Sequence, residues 1–219
     1  ISDISTVLKA LNPTIKIISV QSDQASGMSQ LFHKQSLDTQ KKRISTIADG
    51  IAIKTPSKII YDNFISKNVD EVVTVSDDEL AEAMVFLLER AKTLCEGSGA
   101  AAMAAAMNRN LKLGKKSCII LSGGNVDLNV IAKIIDKGQL KRGRLIELSV
   151  VVDDLPGSLN RLTRAIAEQK ANILEVHHDR ISQGLFLRET RVDFVLETSS
   201  PEHIEKIKQA LIKAGGKIL

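Results

Sequence analysis

The stretch LSVVVDDLPGSLNRLTRAIAEQKANILEVHHDR, Leu148 to Arg180, switches from a strand-like to a helix-like hydrophobic period and back. Its first part lies within LIELSVVVDD (145–154), an apolar β-branched run that reads as a strand. Pro156-Gly157 turns the chain, and SLNRLTRAIAEQK follows as an amphipathic helix. NILEVHHDRIS (172–182) reads as a second strand with partial alternation, and Gln183-Gly184 predicts a hairpin turn into LFLRETRVDFVLET. Ser200-Pro201-Glu202 then supplies an N-cap, a proline at the first helical position and an early acid. The helix they open carries Ile204, Ile207 and Leu211 on one stripe, and KIL at the end starts a last strand. The order is βαββαβ, the ferredoxin-like split unit, assigned to residues 141–219.

Upstream of the polar, basic segment QLKRGR (139–144) the texture differs. IKIISVQ (15–21) and EVVTVSD (71–77) read as buried strands, and KSCIILSGG (116–124) as a third. Helices are expected at ISTVLKAL (4–11), SGMSQLFHKQ (26–35), DELAEAMVFLLERAKTL (78–94), AAAMAAAMNRN (100–110) and DLNVIAKIID (127–136). Ser76 with Glu79 forms a capping box before the third of these. Apolar strands alternating with helices predict an α/β layer with a parallel sheet covered on both faces over residues 1–140.

Composition agrees with a folded chain of two domains. Of 219 residues, 43% are hydrophobic and 26% charged, which excludes a disordered or collagen-like chain. The net charge of +4 is spread along the sequence, and with no Trp and one Tyr it gives no nucleic-acid footprint. Cys95 and Cys118 form no C-x-x-C pair, and no apolar run approaches a membrane span. The expectation is a cytoplasmic protein that binds neither nucleic acid nor membrane.

CIILSGGNVDL (118–128) places two glycines, Gly123 and Gly124, after an apolar run. It has neither G-x-G-x-x-G spacing nor a Walker lysine. The carboxyl end of a buried parallel strand is still where a ligand is expected.

Two resemblances follow from these motifs. D-x-P-G-S-L, then a helix and ANI, resembles the ACT domain, a regulatory βαββαβ module that commonly binds amino acids at a subunit interface. The segments ALNPTIKIISVQ, ADGIAIKTPS, EGSGAAAMAA and LSGGNVD together resemble the C-terminal part of the catalytic domain of threonine dehydratases (threonine ammonia-lyases), in the fold-type II branch of pyridoxal-phosphate enzymes. Serine racemases and serine dehydratases share those motifs, and a single trailing ACT module favours the threonine enzymes.

The resemblance implies pyridoxal phosphate as cofactor. It implies that the Ser122 hydroxyl meets the pyridine nitrogen, that Gly50 lets the backbone lie against the ring, that Gly123 makes room beside it, and that Glu96 stands at the pocket edge. Glu96 can equally be a helix-capping acid. A hydroxyl leaves the ring nitrogen unprotonated where a carboxylate would hold a pyridinium, and the weaker electron sink suits loss of a β-hydroxyl over transamination. In the second module the resemblance assigns an amino-acid effector to Asp154, Gly157 and Asn172. Gly157 at a helix start suits a carboxylate, although 154–157 also reads as a plain strand-to-helix turn.

The family's cofactor-bearing lysine and phosphate loop lie upstream of the matching segments, and no lysine here has that context. The sequence therefore reads as the C-terminal portion of a larger homo-oligomeric enzyme, a dimer or tetramer assembled through catalytic and ACT domains, and as inactive by itself. The reaction implied for the intact enzyme converts L-threonine to 2-oxobutanoate and ammonia, under amino-acid control, in isoleucine biosynthesis. A regulatory, amino-acid-binding fragment and a serine dehydratase are the alternatives. Gln21 and Gly27 stand where metal-binding relatives carry a glutamate and an aspartate, so no metal is expected there. His33, His177, His178 and His203 show no ligand spacing and read as solvent-facing.

Overall fold

The computed structural model describes residues 1–37, 44–107, 111–181 and 184–219. The chain divides into two compact units, Ile1–Ile134 and Ile135–Leu219.

In the first unit, helix α1 (Ser2–Leu11) precedes strand β1 (Ile18–Ser22), which is followed by the short helix α2 (Gly27–Phe32). A helical run over 58–68, with a π-type stretch at Tyr61–Ile65, leads to strand β2 (Glu71–Val75). The two strands pair in parallel, Ile18 opposite Glu71 through Ser22 opposite Val75. Successive strand residues face opposite sides, and β2 uses this to build two cores. Val72 packs with Ile17, Ile65 and Val69, while Val75 packs with Leu80, Met84 and the alanines that follow. Asp70, just before β2, receives Lys9 Nζ of α1 at 2.8 Å and the Ile17 amide at 2.7 Å.

Helix α3 (Asp77–Phe86) begins at the expected capping box. The Ser76 hydroxyl accepts from the Glu79 amide at 3.3 Å, and the Ser76 amide donates to the Glu79 carboxylate at 2.8 Å. Leu80, Ala83, Met84 and Leu87 recur at helical spacing and are buried. The helix passes into a π-type turn and stops at Lys92 in the left-handed region, short of the expected Leu94. Helix α4 (Gly97–Met107) starts three residues earlier than its alanine run suggested, inside EGSG. Ala100, Ala101, Ala104 and Ala105 are buried and keep α4 close to α3. The expected end of this helix, 108–110, lies outside the described residues.

One expected element is absent. KSCIILSGG forms no strand: residues 118–124 have no regular structure, and Ile120 and Leu121 are 46% and 40% exposed. A strand needs a partner strand to take its backbone hydrogen bonds, and no described strand pairs with this segment. Helix α5 (Leu128–Lys141) follows and runs through Gln139–Lys141, where a linker was expected.

The second unit contains β3 (Leu145–Asp153), α6 (Ser158–Glu168), β4 (Asn172–Asp179), β5 (Glu189–Glu197), α7 (Pro201–Lys213) and β6 (Lys217–Ile218). The sheet order is β4-β5-β3-β6 with every pairing antiparallel, which is the βαββαβ split unit. One face carries Leu148, Val150, Val152, Val192, Phe194 and Leu196 onto Leu162, Ile166, Ile207 and Leu211 of the helices. The hairpin turn expected at Gln183-Gly184 falls partly outside the described residues. β5 begins at Glu189, later than LFLRETR suggested, and leaves Phe186 and Leu187 exposed.

The other sheet face is polar at its centre. Asp193 stands opposite Ser149, accepts its hydroxyl, and takes Arg191 Nε at 2.7 Å. Burial alone would raise the Asp193 pKa, but the bonds from Arg191 and Ser149 outweigh it and hold the carboxyl below its ordinary value. A depressed carboxylate contributes stability above its unfolded pKa and loses it as pH falls through the folded one. Asp193→Asn is therefore expected to lower the urea midpoint at pH 6, by a gap that narrows progressively as pH falls below about 4. A gap that does not narrow on acidification would contradict this.

Candidate functional site

The first turn of α4 is Glu96-Gly97-Ser98-Gly99, with the Ala100 amide donating to the Glu96 carbonyl at 2.9 Å. Both glycines are forced by contact. A Cβ on Gly97 would overlap the backbone of Ile47, and one on Gly99 would overlap the backbone of Ser122. The helix start is thereby pressed between two chain segments, 47–50 and 122–124, and displays Glu96 and Ser98 between them.

Each segment is held in place. Thr46 donates its hydroxyl to Asp77 of α3, and the Ile47 amide reaches the same carboxylate at 3.2 Å. Ala48 is fully buried, and Asp49–Ile51 closes a 3-10 turn that presents Gly50. On the other side, the Glu96 amide and the Cys95 thiol both donate to the Gly123 carbonyl at 3.3 Å. Burial, and then the Glu96 carboxylate, push the Cys95 thiol pKa up.

Of the residues singled out in the sequence, Gly50, Glu96, Ser122 and Gly123 come together here. A Cβ on Gly50 would stand 2.9 Å from Ser98 Oγ and 3.8 Å from Glu96 Oε1. Gly123 has φ +84°, and a Cβ there would overlap the Glu96 carboxylate. Ser122 is exposed, with its carbonyl against Gly99. Ser98 was not singled out in the sequence. The alternation of two glycines with two polar residues in EGSG was the available signal for it. Its hydroxyl is buried and has no hydrogen-bond partner among the described residues.

In the second unit, Gly157 caps the start of α6 with φ +90°, no side chain caps that end, and a Cβ on Gly157 would meet nothing within 4 Å. Asp154 lies beside it, bonded to Arg180 Nε at 3.1 Å and, through its amide, to the Arg188 carbonyl at 2.8 Å. Asn172 is elsewhere. It pairs with Glu197, which pairs with Leu145 at the start of β3, whereas Asp154 follows the end of that strand. Eight residues of extended chain separate the two levels, Leu145 to Asp153, about 26 Å at ~3.3 Å per residue. The Asn172 amide is occupied in donating to Glu197 at 3.0 Å.

The histidines divide. His33, His177 and His178 are exposed as expected. His203 is not simply solvent-facing: its Nδ1 accepts from the Ser199 amide at 3.1 Å and its Nε2 meets the Gln169 carbonyl at 2.7 Å. An Nδ1 that accepts leaves the proton on Nε2 as donor, so the ring ties the turn before β4 to the turn before α7. Gln21 accepts from the Ser29 amide, and a Cβ on Gly27 would crowd Pro56. Among the described residues, no group of three or more His, Cys, Asp or Glu is placed to hold a metal ion. No described helix is long and apolar enough to cross a membrane.

The first unit thus joins an α/β build to a close cluster of Gly50, Glu96, Ser98 and Gly123 at one helix start, an arrangement of the kind a cofactor-dependent enzyme domain uses. Residues 1–123 match the family described as "Pyridoxal-phosphate dependent enzyme", and the chain belongs to that family. Residues 146–216 match the ACT domain. The chain is 38% identical to an L-threonine ammonia-lyase of Thermotoga maritima over 98% of its own length and 53% of the relative's. It is 41% identical to an L-threonine ammonia-lyase of Geobacter sulfurreducens over 94% of its length and 51% of the relative's. The chain spans about half the length of these curated relatives. Among solved structures it resembles a threonine deaminase from Solanum lycopersicum, isoform 2 in its processed form, with TM-score 0.55 and 25% identity, over 64% of this chain and 39% of that one.

Pyridoxal phosphate is the cofactor of the family, and the residues present fit it. They offer a glycine cradle at Gly50 and Gly123, an exposed hydroxyl at Ser122 and a buried, unpaired donor at Ser98.

The Gly123 geometry gives a test. Gly123→Ala is expected to cost about 1–3 kcal/mol in urea unfolding, because it strains φ and strikes Glu96 at once. Gly124→Ala, whose Cβ would only approach the Leu94 carbonyl at 3.3 Å, should cost clearly less. Equal losses would show that neither the positive φ nor the Glu96 contact constrains position 123.

Proposed function

We propose that this chain is the C-terminal part of a pyridoxal-phosphate-dependent L-threonine ammonia-lyase, with residues 1–140 in the catalytic domain and 141–219 as an amino-acid-sensing ACT domain. The observation that carries the reading is the convergence of Gly50, Glu96, Ser122 and Gly123 on the first turn of α4. It occurs in a chain whose similarity to two L-threonine ammonia-lyases runs through both units.

Bound pyridoxal phosphate would supply an electron-accepting ring to the amino-acid substrate. Ser122 would hold the ring nitrogen with a hydroxyl, whose own proton stays in place at neutral pH. Gly50 and Gly123 would border the ring with backbone, and Glu96, wedged between them, would fix the pocket wall. Similarity to the lyases favours threonine over serine. The enzyme is assigned to the cytoplasm, with free amino acids as substrate and effector. The decisive assay gives full-length protein pyridoxal phosphate and either L-threonine or L-serine. The expected result is 2-oxobutanoate from threonine at the higher kcat/KM. A preference for serine would overturn the substrate, and an absence of visible cofactor absorbance would overturn the family chemistry for this protein. The 219 residues alone are expected to form no 2-oxobutanoate. In the full-length enzyme, Ser122→Asp should alter the ratio of elimination to side products.

For the ACT unit, an effector site using Asp154, Gly157 and Asn172 requires two copies, because one copy keeps Asp154 and Asn172 at opposite ends of its sheet. Two chains paired about a two-fold axis with the end of one β3 against the start of the other β4 would form two equivalent sites per pair. Calorimetry with isoleucine, valine, threonine and serine should find one of them bound by the parent protein. Asp154→Ala and Asn172→Ala chains should each fail to bind it, whereas their mixture should regain about one site in four by random pairing. A mixture with no sites would rule out the shared arrangement.

A further inference from the structure

One polar group of the pocket has no task in that chemistry. Ser98 stands in the first turn of an eleven-residue helix, α4, directly between the two glycines that seat it. A serine so placed ordinarily bonds a nearby backbone group, either as a cap or back to the preceding turn. Ser98 does neither: its hydroxyl is buried and has no partner among the described residues. Such a group costs desolvation free energy without return unless something else meets it.

Its position says what meets it. Ser98 Oγ is the atom nearest to where a Gly50 side chain would begin, 2.9 Å away, and Glu96 Oε1 is 3.8 Å from the same point. The donor therefore belongs to the wall that Gly50, Glu96 and Gly123 form. Helix α4 also directs its free amide ends, with their positive partial charge, toward this wall, which favours an electron-rich acceptor.

We propose that Ser98 is a cofactor-contacting residue whose hydroxyl donates a hydrogen bond to an acceptor atom of the pyridoxal ring. This rests on the reading that the pocket takes pyridoxal phosphate. Ser98 lies at the helix start, and Ser122 lies in the neighbouring segment whose Gly123 meets the Glu96 carboxylate. Because the Ser98 hydroxyl has no other partner among the described residues, its removal should act in opposite directions on the empty and the loaded protein. Without cofactor, Ser98→Ala removes an unpaired buried group and relieves the folded state. With cofactor, it removes a ring contact.

The test uses full-length protein stripped of cofactor, with Ser98→Ala, Ser98→Thr and Ser122→Ala variants. It measures equilibrium binding of pyridoxal phosphate and of pyridoxal, the visible absorbance maximum of the loaded protein, and the urea midpoint of the empty one. Ser98→Ala should weaken both ligands by a similar factor, about five- to twenty-fold for one lost hydrogen bond. It should shift the absorbance maximum and leave the empty protein as stable as the parent or more so. Ser98→Thr, which keeps the hydroxyl, should recover most of the affinity. Parent-like affinity in Ser98→Ala would overturn the proposal, and so would a less stable empty protein, since the hydroxyl would then be paired within the fold. A loss confined to the phosphorylated ligand would overturn the ring assignment in favour of the phosphate. Failure of the parent itself to bind pyridoxal phosphate would instead sink the reading of the pocket, independently of Ser98.

Discussion

The contact on which the first unit depends is the seating of the α4 helix start between two backbones. Gly97 lies against Ile47 and Gly99 against Ser122, at separations that leave no room for a methyl group. A helix normally approaches its neighbours through side chains, with axes ~8–10 Å apart, and only glycine permits backbone to touch backbone. Two consequences follow from that approach. Glu96 and Ser98, alternating with the glycines, are presented to the space between the segments, and the buried alanines farther along α4 continue the same close packing on α3. The candidate site is a by-product of how the core closes, because the same close approach that seats α4 on α3 also sets the spacing of Glu96 and Ser98.

The second unit depends on register. A four-stranded antiparallel sheet with helices on one face commits every residue of β3, β4 and β5 to a side and a level. Asp154 and Asn172 both belong to motifs that looked like one site, yet the ladder places them a strand length apart. The link from Asn172 to Glu197 and the His203 bridge between Gln169 and Ser199 stabilise one end of the sheet. Asp154, Arg180 and the uncapped start of α6 form the other. Symmetry between two copies is the simple way to bring such ends together.

Much of this was legible in the linear sequence, because period and punctuation are local. The strand at EVVTV, the Ser76 capping box, the Ser200-Pro201 helix start and the βαββαβ order all emerge as read, each from side chains a few residues apart. Helix ends were read less well. α3 gives way to a π-type turn before Leu94, and α4 begins inside EGSG, because tertiary contacts rather than propensity decide where those helices can lie. The run CIIL was read as a buried strand on composition. It is exposed and irregular, because strand structure is a property of a pair and no described segment pairs with it.

By itself the sequence determined the fold class, and it named Gly50, Glu96, Ser122 and Gly123 as candidates from their motifs. Only the tertiary structure decided what the glycines lie against, that Ser98 has no hydrogen-bond partner among the described residues, and that Asp154 and Asn172 do not meet within one chain. Those facts depend on distances between residues far apart in the chain. Hydrophobic period and turn chemistry report which way a residue faces, and they carry no information about which distant backbone it will face.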